Sequence, residues 1–205
     1  MSTELSLRLL PGECVVIEGA DVAQLDAFAD LCSGLIALRA GQVRFLGYDW
    51  SAVPHDFAAA LRGRIGRVFA SGGWVPFLDA ETNILLPQLH HTRRGLSELQ
   101  AEGIALAHEF GLPGLPCGRI TDLSSDDVAR AMLVRAFLGE PRLVLVVEPV
   151  AVGSALLNRV AGMRDRYGAI VLLVRYRSVQ DAWASAATQW LRLTDQGLGA
   201  VRSVR

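Results

Sequence analysis

Residues 13–26 read ECVVIEGADVAQLD: an apolar run, a glycine, and then the polar opening of a helical pattern. Glu13–Glu18 has strand length and follows the Pro11–Gly12 turn, so it predicts a short buried strand. Within 24–38, Leu25, Phe28, Cys32 and Leu35 recur at helical spacing, which predicts a helix with one face toward a core. After a turn at Gly41, Val43 and Phe45 alternate with polar neighbours over Gln42–Leu46, the pattern of a half-buried strand. Strand, loop, helix, strand is the phosphate-binding α/β opening.

Two further apolar runs, Leu143–Val147 and Ala169–Val174, suit strands buried on both faces, with a helical pattern over about Leu156–Arg166 between them. The middle of the chain, about 83–137, reads mostly helical. Ser97 and Gln100 are spaced as a capping box there, and another helix starts near Ser124 or Ser125. The predicted layout is one α/β domain over 1–205. Its mainly parallel core is drawn from about 1–82 and 138–205, with a helical subdomain inserted over about 83–137.

Apolar residues make up 51% of the 205, enough for a well-buried domain. The net charge of −1 and the absence of a basic block argue against nucleic acid or an anionic membrane as a direct partner. The apolar runs are too short for direct membrane insertion, and no signal peptide is apparent. Cys14, Cys32 and Cys117 lack metal-ligand spacing, so no metal site is expected and a reduced cytoplasmic protein is the simple reading. All 20 basic residues are arginine. Chemistry that needs a lysine must therefore borrow it from another chain.

A phosphate-cradling loop uses glycines to turn backbone N–H groups inward, a lysine for the β/γ-phosphates and a Ser/Thr for magnesium, in the pattern GxxxxGK[ST]. Gly19 fits the first position. Gln24 stands at the second glycine, Leu25 at the lysine and Asp26 at the hydroxyl residue. Asp21 with Gln24 is itself a helix-capping arrangement, and Asp26 is expected in the first turn as a second negative charge. A carboxylate about 4 Å from one phosphate charge costs roughly 1 kcal/mol in water and about 4 kcal/mol at an effective dielectric of 20. A self-capped helix is thus the expectation, and ATP or magnesium binding is doubtful.

Taken in order, the segments around this loop resemble those of ABC-transporter ATPases across almost the whole chain. PGECVVIEG (11–19), GL (34–35) and GQVRFLG (41–47) keep the family spacing. RIGRVFA (64–70) resembles the segment that ends in the Q-loop glutamine, here Ala70, and Asn83 matches an Asn common after the coupling-region loop. Leu123, Ser124, Ser125, Asp126 and Asp127 occupy the LSGGQ signature. PRLVLVVEP (141–149) is similar to the Walker B segment, with Val147 at the magnesium-linked aspartate and Glu148 at the general base. Val150–Ser154 lacks the D-loop aspartate, and VLLVRYR (171–177) places Tyr176 at the switch histidine. The family's first strand and adenine-stacking loop have no counterpart before Leu5, and the chain stops soon after the switch segment.

The resemblance implies a P-loop NTPase-like cassette with a degenerate phosphate loop and signature, and hence an inactive relative of the ABC ATPases with no cofactor. Glu148, without a metal ligand, lysine or switch histidine, is expected to be vestigial or structural. It further implies a transmembrane permease subunit as partner, docked through Trp74, Phe77 and Leu78 in SGGWVPFLD (71–79), and a second ABC ATPase subunit or a homodimer. The implied place is peripheral, on the inner face of the cell membrane. NILLPQLHHT (83–92) is similar in spacing to ATPases of Mla-type, MCE-linked lipid transporters, which leans the cargo toward lipid. His90 and His91 are expected to diverge and be solvated rather than to bind metal. An ATP-binding but non-hydrolysing sensor, or a stand-alone soluble regulatory protein, remain alternatives.

Overall fold

The computed structural model describes residues 5–71, 73–148, 159–160, 162–175 and 187–202. Five strands run parallel: β1 (Cys14–Gly19), β4 (Ile65–Val68), β5 (Leu143–Val147), β6 (Ala169–Arg175) and β7 (Gln189–Thr194). With β8 (Gly197–Arg202) antiparallel to β7, they form one sheet in the order β4-β5-β6-β1-β7-β8. The mainly parallel α/β architecture expected from the buried apolar runs is present. Alternation along these strands supplies both faces. Val15, Ile17, Leu145 and Leu173 pack with α1 (Val22–Cys32) on one side. On the other, Cys14, Val16, Val144 and Ile170 share a cluster with α3 (Ala80–His91), α4 (Leu96–Glu109) and α5 (Ser125–Phe137).

Several boundaries differ from the sequence reading. The first helix stops at Cys32 rather than running to 38, because the Ser33 hydroxyl donates to Ala29 O (2.8 Å) and Gly34 adopts φ +65°. The Trp50 ring lies so close to Gly34 that an added Cβ would sit 2.3 Å from it, and Leu35, expected on the core face, is exposed. The expected strand over Gln42–Leu46 shrinks to β2 (Arg44–Phe45), which pairs with β3 (Tyr48–Asp49) as a separate hairpin. The Ser97–Gln100 capping box does not form. Gly95 is the N-cap of α4, and Gln100 Nε2 instead donates to Glu81 Oε1 on α3 (2.6 Å). Helix α2 (His55–Arg62) and the β7–β8 hairpin have no counterpart in the sequence pattern above. The helix expected over Leu156–Arg166 lies partly outside the described residues, of which Arg164–Tyr167 are helical.

No helix among the described residues is long and apolar enough to cross a membrane. Burial pushes the Cys14 thiol up to about 11 and the Cys32 thiol up to about 12, whereas Cys117 is exposed. The thiolate is the reactive form. Iodoacetamide at pH 8 is therefore expected to label Cys117 in the folded protein, with Cys14 and Cys32 labelled only after denaturation, as read by peptide mass mapping.

Candidate functional site

The carboxyl ends of β1 and β5 bring together the phosphate-loop residues, Val147 and Glu148. At the end of β1, Asp21 adopts extended backbone and caps α1, its Oδ1 accepting from Gln24 N (2.8 Å). The Gln24 side chain reaches back, its Oε1 accepting from Ala20 N (2.8 Å). These reciprocal bonds satisfy two N–H groups at a helix start with the chain's own oxygens. Leu25 is fully buried and packs over Gly19, where an added Cβ would lie 2.6 Å from Leu25 Cδ2.

Asp26 is not in the first turn. With Asp21 as N-cap it is the fifth helical residue, and its Oδ1 pairs with Arg67 of β4 (3.1 Å), which also binds Asp30. The sequence carries a signal for this pairing: Asp26 and Asp30 are four apart, hence on one helix face. The start of α5 repeats the self-capping. Ser124 Oγ accepts from Asp127 N (3.1 Å) and donates to Asp127 Oδ2 (2.9 Å), while Arg130 pairs with the same carboxylate (3.1 Å). Asp126 is exposed in the first turn beside Ser125, and Leu123 is half-buried.

Val147 is buried at the end of β5, and its side chain has no oxygen to offer a metal. Glu148 follows it with φ +48°, the left-handed region that non-glycine residues avoid. Its backbone N donates to Leu173 O (2.8 Å). The carboxylate accepts from Arg175 N (2.6 Å) and pairs with Arg175 Nε (3.0 Å). Nearby, the buried Glu18 accepts from Trp190 Nε1 (2.6 Å) and pairs with Arg192 (2.7 Å). Tyr176 and Val150–Ser154 lie outside the described residues.

The third group lies along β4, a strand at the edge of the sheet. Ala70 is half-buried just beyond its end. Asn83, on α3, is buried and organises the preceding loop: Oδ1 accepts from Val75 N (2.8 Å), and Nδ2 donates to the carbonyls of Val75, Leu78 and Asp79 (3.0–3.1 Å). Asp79 caps α3, and the bonds from Thr82 hold its carboxyl below the usual carboxylate range. The loop so held presents Phe77 at 87% exposure. Trp74 instead packs against the core beneath the Arg135 guanidinium (5.4 Å to the ring centroid), and Leu78 is half-buried. Burial lowers the Arg135 pKa from the ordinary arginine range, and the side chain bonds Gly73 O.

Beside this loop a cavity of about 580 Å³ is lined by Arg67, Phe69, Pro87, His91 and Arg135, among others. Among the described residues, the two buried side-chain nitrogens without a hydrogen bond, Arg67 Nε and His91 Nδ1, both belong to residues lining it. His90 is exposed as expected, but His91 is half-buried and the two rings meet edge-on at 4.7 Å rather than diverging. Burial, with His90 and Arg62 adding to it, lowers the His91 pKa. No group of three His, Cys, Asp or Glu suited to a metal occurs among the described residues.

The fold matches solved cassettes over nearly its whole length. The ATP-binding cassette MJ0796, in a post-hydrolysis dimer bound to ADP and Pi, superposes with a TM-score of 0.84 at 18% identity, covering 98% of this chain and 89% of that one. No protein-family model matches the chain. The lipoprotein-releasing ATP-binding protein LolD of Anaeromyxobacter dehalogenans is 31% identical over 71% of this chain and 61% of its own length. The nickel import ATP-binding protein NikE of Pseudomonas putida is 28% identical over 84% of this chain and 66% of its own length. The chain thus spans just under two thirds of those two relatives. LolD of Nitratidesulfovibrio vulgaris is 31% identical over 78% of this chain and 73% of its own length. Joined to a sheet order and helical layer that superpose on a solved cassette, that last likeness settles descent: the chain belongs to the ATP-binding-cassette ATPase family.

Proposed function

We propose that the chain is a non-catalytic cassette subunit of a membrane transport complex, holding partners together without cleaving ATP. The observation that carries this reading is the start of α1, where Asp21 and Gln24 occupy the N–H groups of Gln24 and Ala20. A magnesium-bound triphosphate asks that position for open N–H groups, a lysine and a hydroxyl. The residues present do not fit it. Leu25 is in the core, Asp26 is committed to Arg67, Val147 has no metal ligand to give, and the sequence has no lysine.

Glu148 is a structural residue in this reading. A general base must reach a substrate proton, whereas this carboxylate is held by the Arg175 backbone and guanidinium. The chain's role is therefore that of a scaffold or brake. In a head-to-tail pair, one site would contain this altered phosphate loop and the other would face Asp126 and Asp127.

The partners are a transmembrane permease subunit and a second cassette, either a competent ATPase or another copy of this chain, at the inner face of the membrane. Support for the permease contact comes from the loop fixed by Asn83, which offers Phe77 to solvent beside a cavity on the β4 side. A lipid or lipid-linked cargo is favoured by the Asn83–Thr92 resemblance and by the relatives named for lipoprotein release. Phe77→Asp is expected to leave the unfolding midpoint unchanged and to weaken permease binding by about 2 kcal/mol, roughly 30-fold, as an aromatic anchor would. Affinity purification from native membranes with both forms reads this. Recovery of no integral membrane protein with the parent chain would refute the transport reading, and equal recovery with both forms would refute the Phe77 contact.

A further inference from the structure

At the opposite end of the sheet from Gly19 and Glu148, a second cavity, of about 760 Å³, opens where β5 and β6 begin. Its size falls within the range of about 300–1,000 Å³ typical of small-molecule sites. The walls are apolar: Phe28 and Leu31 of α1, Phe45 of the β2–β3 hairpin, Leu143, Leu198 and the Leu7–Leu10 segment. All the charged residues on the lining are arginines, namely Arg8, Arg44 and Arg142, and none is acidic, in a chain with 20 basic and 21 acidic residues. Arg8 and Arg142 are exposed, with no ion pair to either among the described residues. Arg44 stands opposite Asp49 in the hairpin.

The lip of this cavity carries a second, independent anomaly. The hairpin turns through Leu46 and Gly47, both at positive φ (+51° and +86°). Such two-residue turns favour Asn-Gly, because a branched apolar residue strains there. Here a leucine takes the strained position and is left 54% exposed, beside the cavity it helps to line. The hairpin is also fixed in place: Phe45 stacks on Trp50 (5.9 Å between centroids), whose Nε1 donates to Cys32 O (3.1 Å) at the end of α1. An apolar cleft with a rigid wall, a strained exposed leucine at its mouth and an all-cationic rim matches one ligand chemistry.

We infer that this cleft binds an acyl chain bearing an anionic head group, the chain against Phe28, Phe45 and Leu143 and the head against Arg8 and Arg142. The site is separate from the nucleotide face and does not depend on the function proposed above. Titration calorimetry of the purified full chain tests it, with laurate below its micelle concentration as probe, dodecanol lacking the charge and butyrate lacking the chain. Saturable binding of laurate is expected, with each control weaker by about tenfold or more. The exposed double variant R8E/R142E is expected to keep its unfolding midpoint and lose laurate affinity by about tenfold. Leu46→Asn suits the left-handed turn, so it is expected to hold or raise stability while weakening laurate about threefold or more. Absence of saturable laurate binding, equal binding of dodecanol, or undiminished affinity in both variants would overturn the assignment. So would a concentration-dependent dimer that L46N breaks and laurate leaves untouched, since a second copy would then fill the cleft.

Discussion

Replacing Leu25 by lysine will lower the unfolding free energy by about 3–5 kcal/mol and will not create an ATP site. The substitution restores the residue that the phosphate-loop pattern requires, so the naive expectation is a gain of function. The packing dictates the reverse. Leu25 is fully buried among Val15, Ile17 and Val147, and its side chain fills the space that Gly19 leaves open. A lysine there either carries an ammonium into an apolar cluster or threads outward past Gly19, leaving the cavity behind it. The caps supplied by Asp21 and Gln24 would remain in place. Urea titration measures the loss through the midpoint at constant slope. A variant as stable as the parent, with new affinity for Mg-ATP, would show that the core reading of Leu25 is wrong.

The second large effect is at the seam between the helical layer and the sheet. Gly66→Ala on β4 is expected to cost about 3 kcal/mol or more. A Cβ at Gly66 would lie 1.8 Å from the backbone oxygen of Ala136 on α5, and backbone cannot rotate aside as a flexible side chain does. Either α5 shifts away from β4 or the strand moves, and both also alter the cavity lined by Phe69 and Arg135. Gly199→Ala on β8 is the control, because nothing lies within 4 Å of its added Cβ. It should change stability by a few tenths of a kcal/mol at most, in the stabilising direction. Thermal unfolding of the pair separates steric overlap from the loss of glycine's backbone freedom.

What the sequence made legible was local or strongly patterned. The strands β1, β5 and β6 are buried on both faces, so their apolar runs stand out without any partner in view. The cap at Asp21 is readable because capping joins residues three apart. Sequence and structure differ where a distant residue decides a local outcome. Apolar spacing carried the first helix on to Leu35, but the ring of Trp50 sits over Gly34 and the chain turns there. Proximity in sequence puts Asp26 at the helix start, whereas Arg67, 41 residues on, takes its carboxylate. The Arg175 partner of Glu148 is hidden for the same reason, lying 27 residues away on the neighbouring strand. The Ser97–Gln100 pattern had the right residues for a cap, yet Gln100 is drawn to Glu81 across the α3–α4 contact.

The acidic residues of the nucleotide face are not a uniform negative screen. Asp21 is engaged in capping, Asp26 shares Arg67 with Asp30, and Glu148 is paired with Arg175. In the reading proposed above, occupation of the helix starts and of the carboxylates by the chain itself, rather than simple repulsion, would disfavour a phosphate ligand.

The most direct measurement is thermal unfolding of the full chain with and without Mg-ATP. A ligand at 100 times its Kd stabilises by about 2.7 kcal/mol, which for a chain of this length raises Tm by roughly 5–10 °C. With the helix starts self-capped and no lysine present, no shift beyond that of magnesium with an inert anion is expected. A saturable rise of several degrees, specific to the nucleotide, would contradict the self-filled phosphate loop and with it the non-catalytic reading built on it.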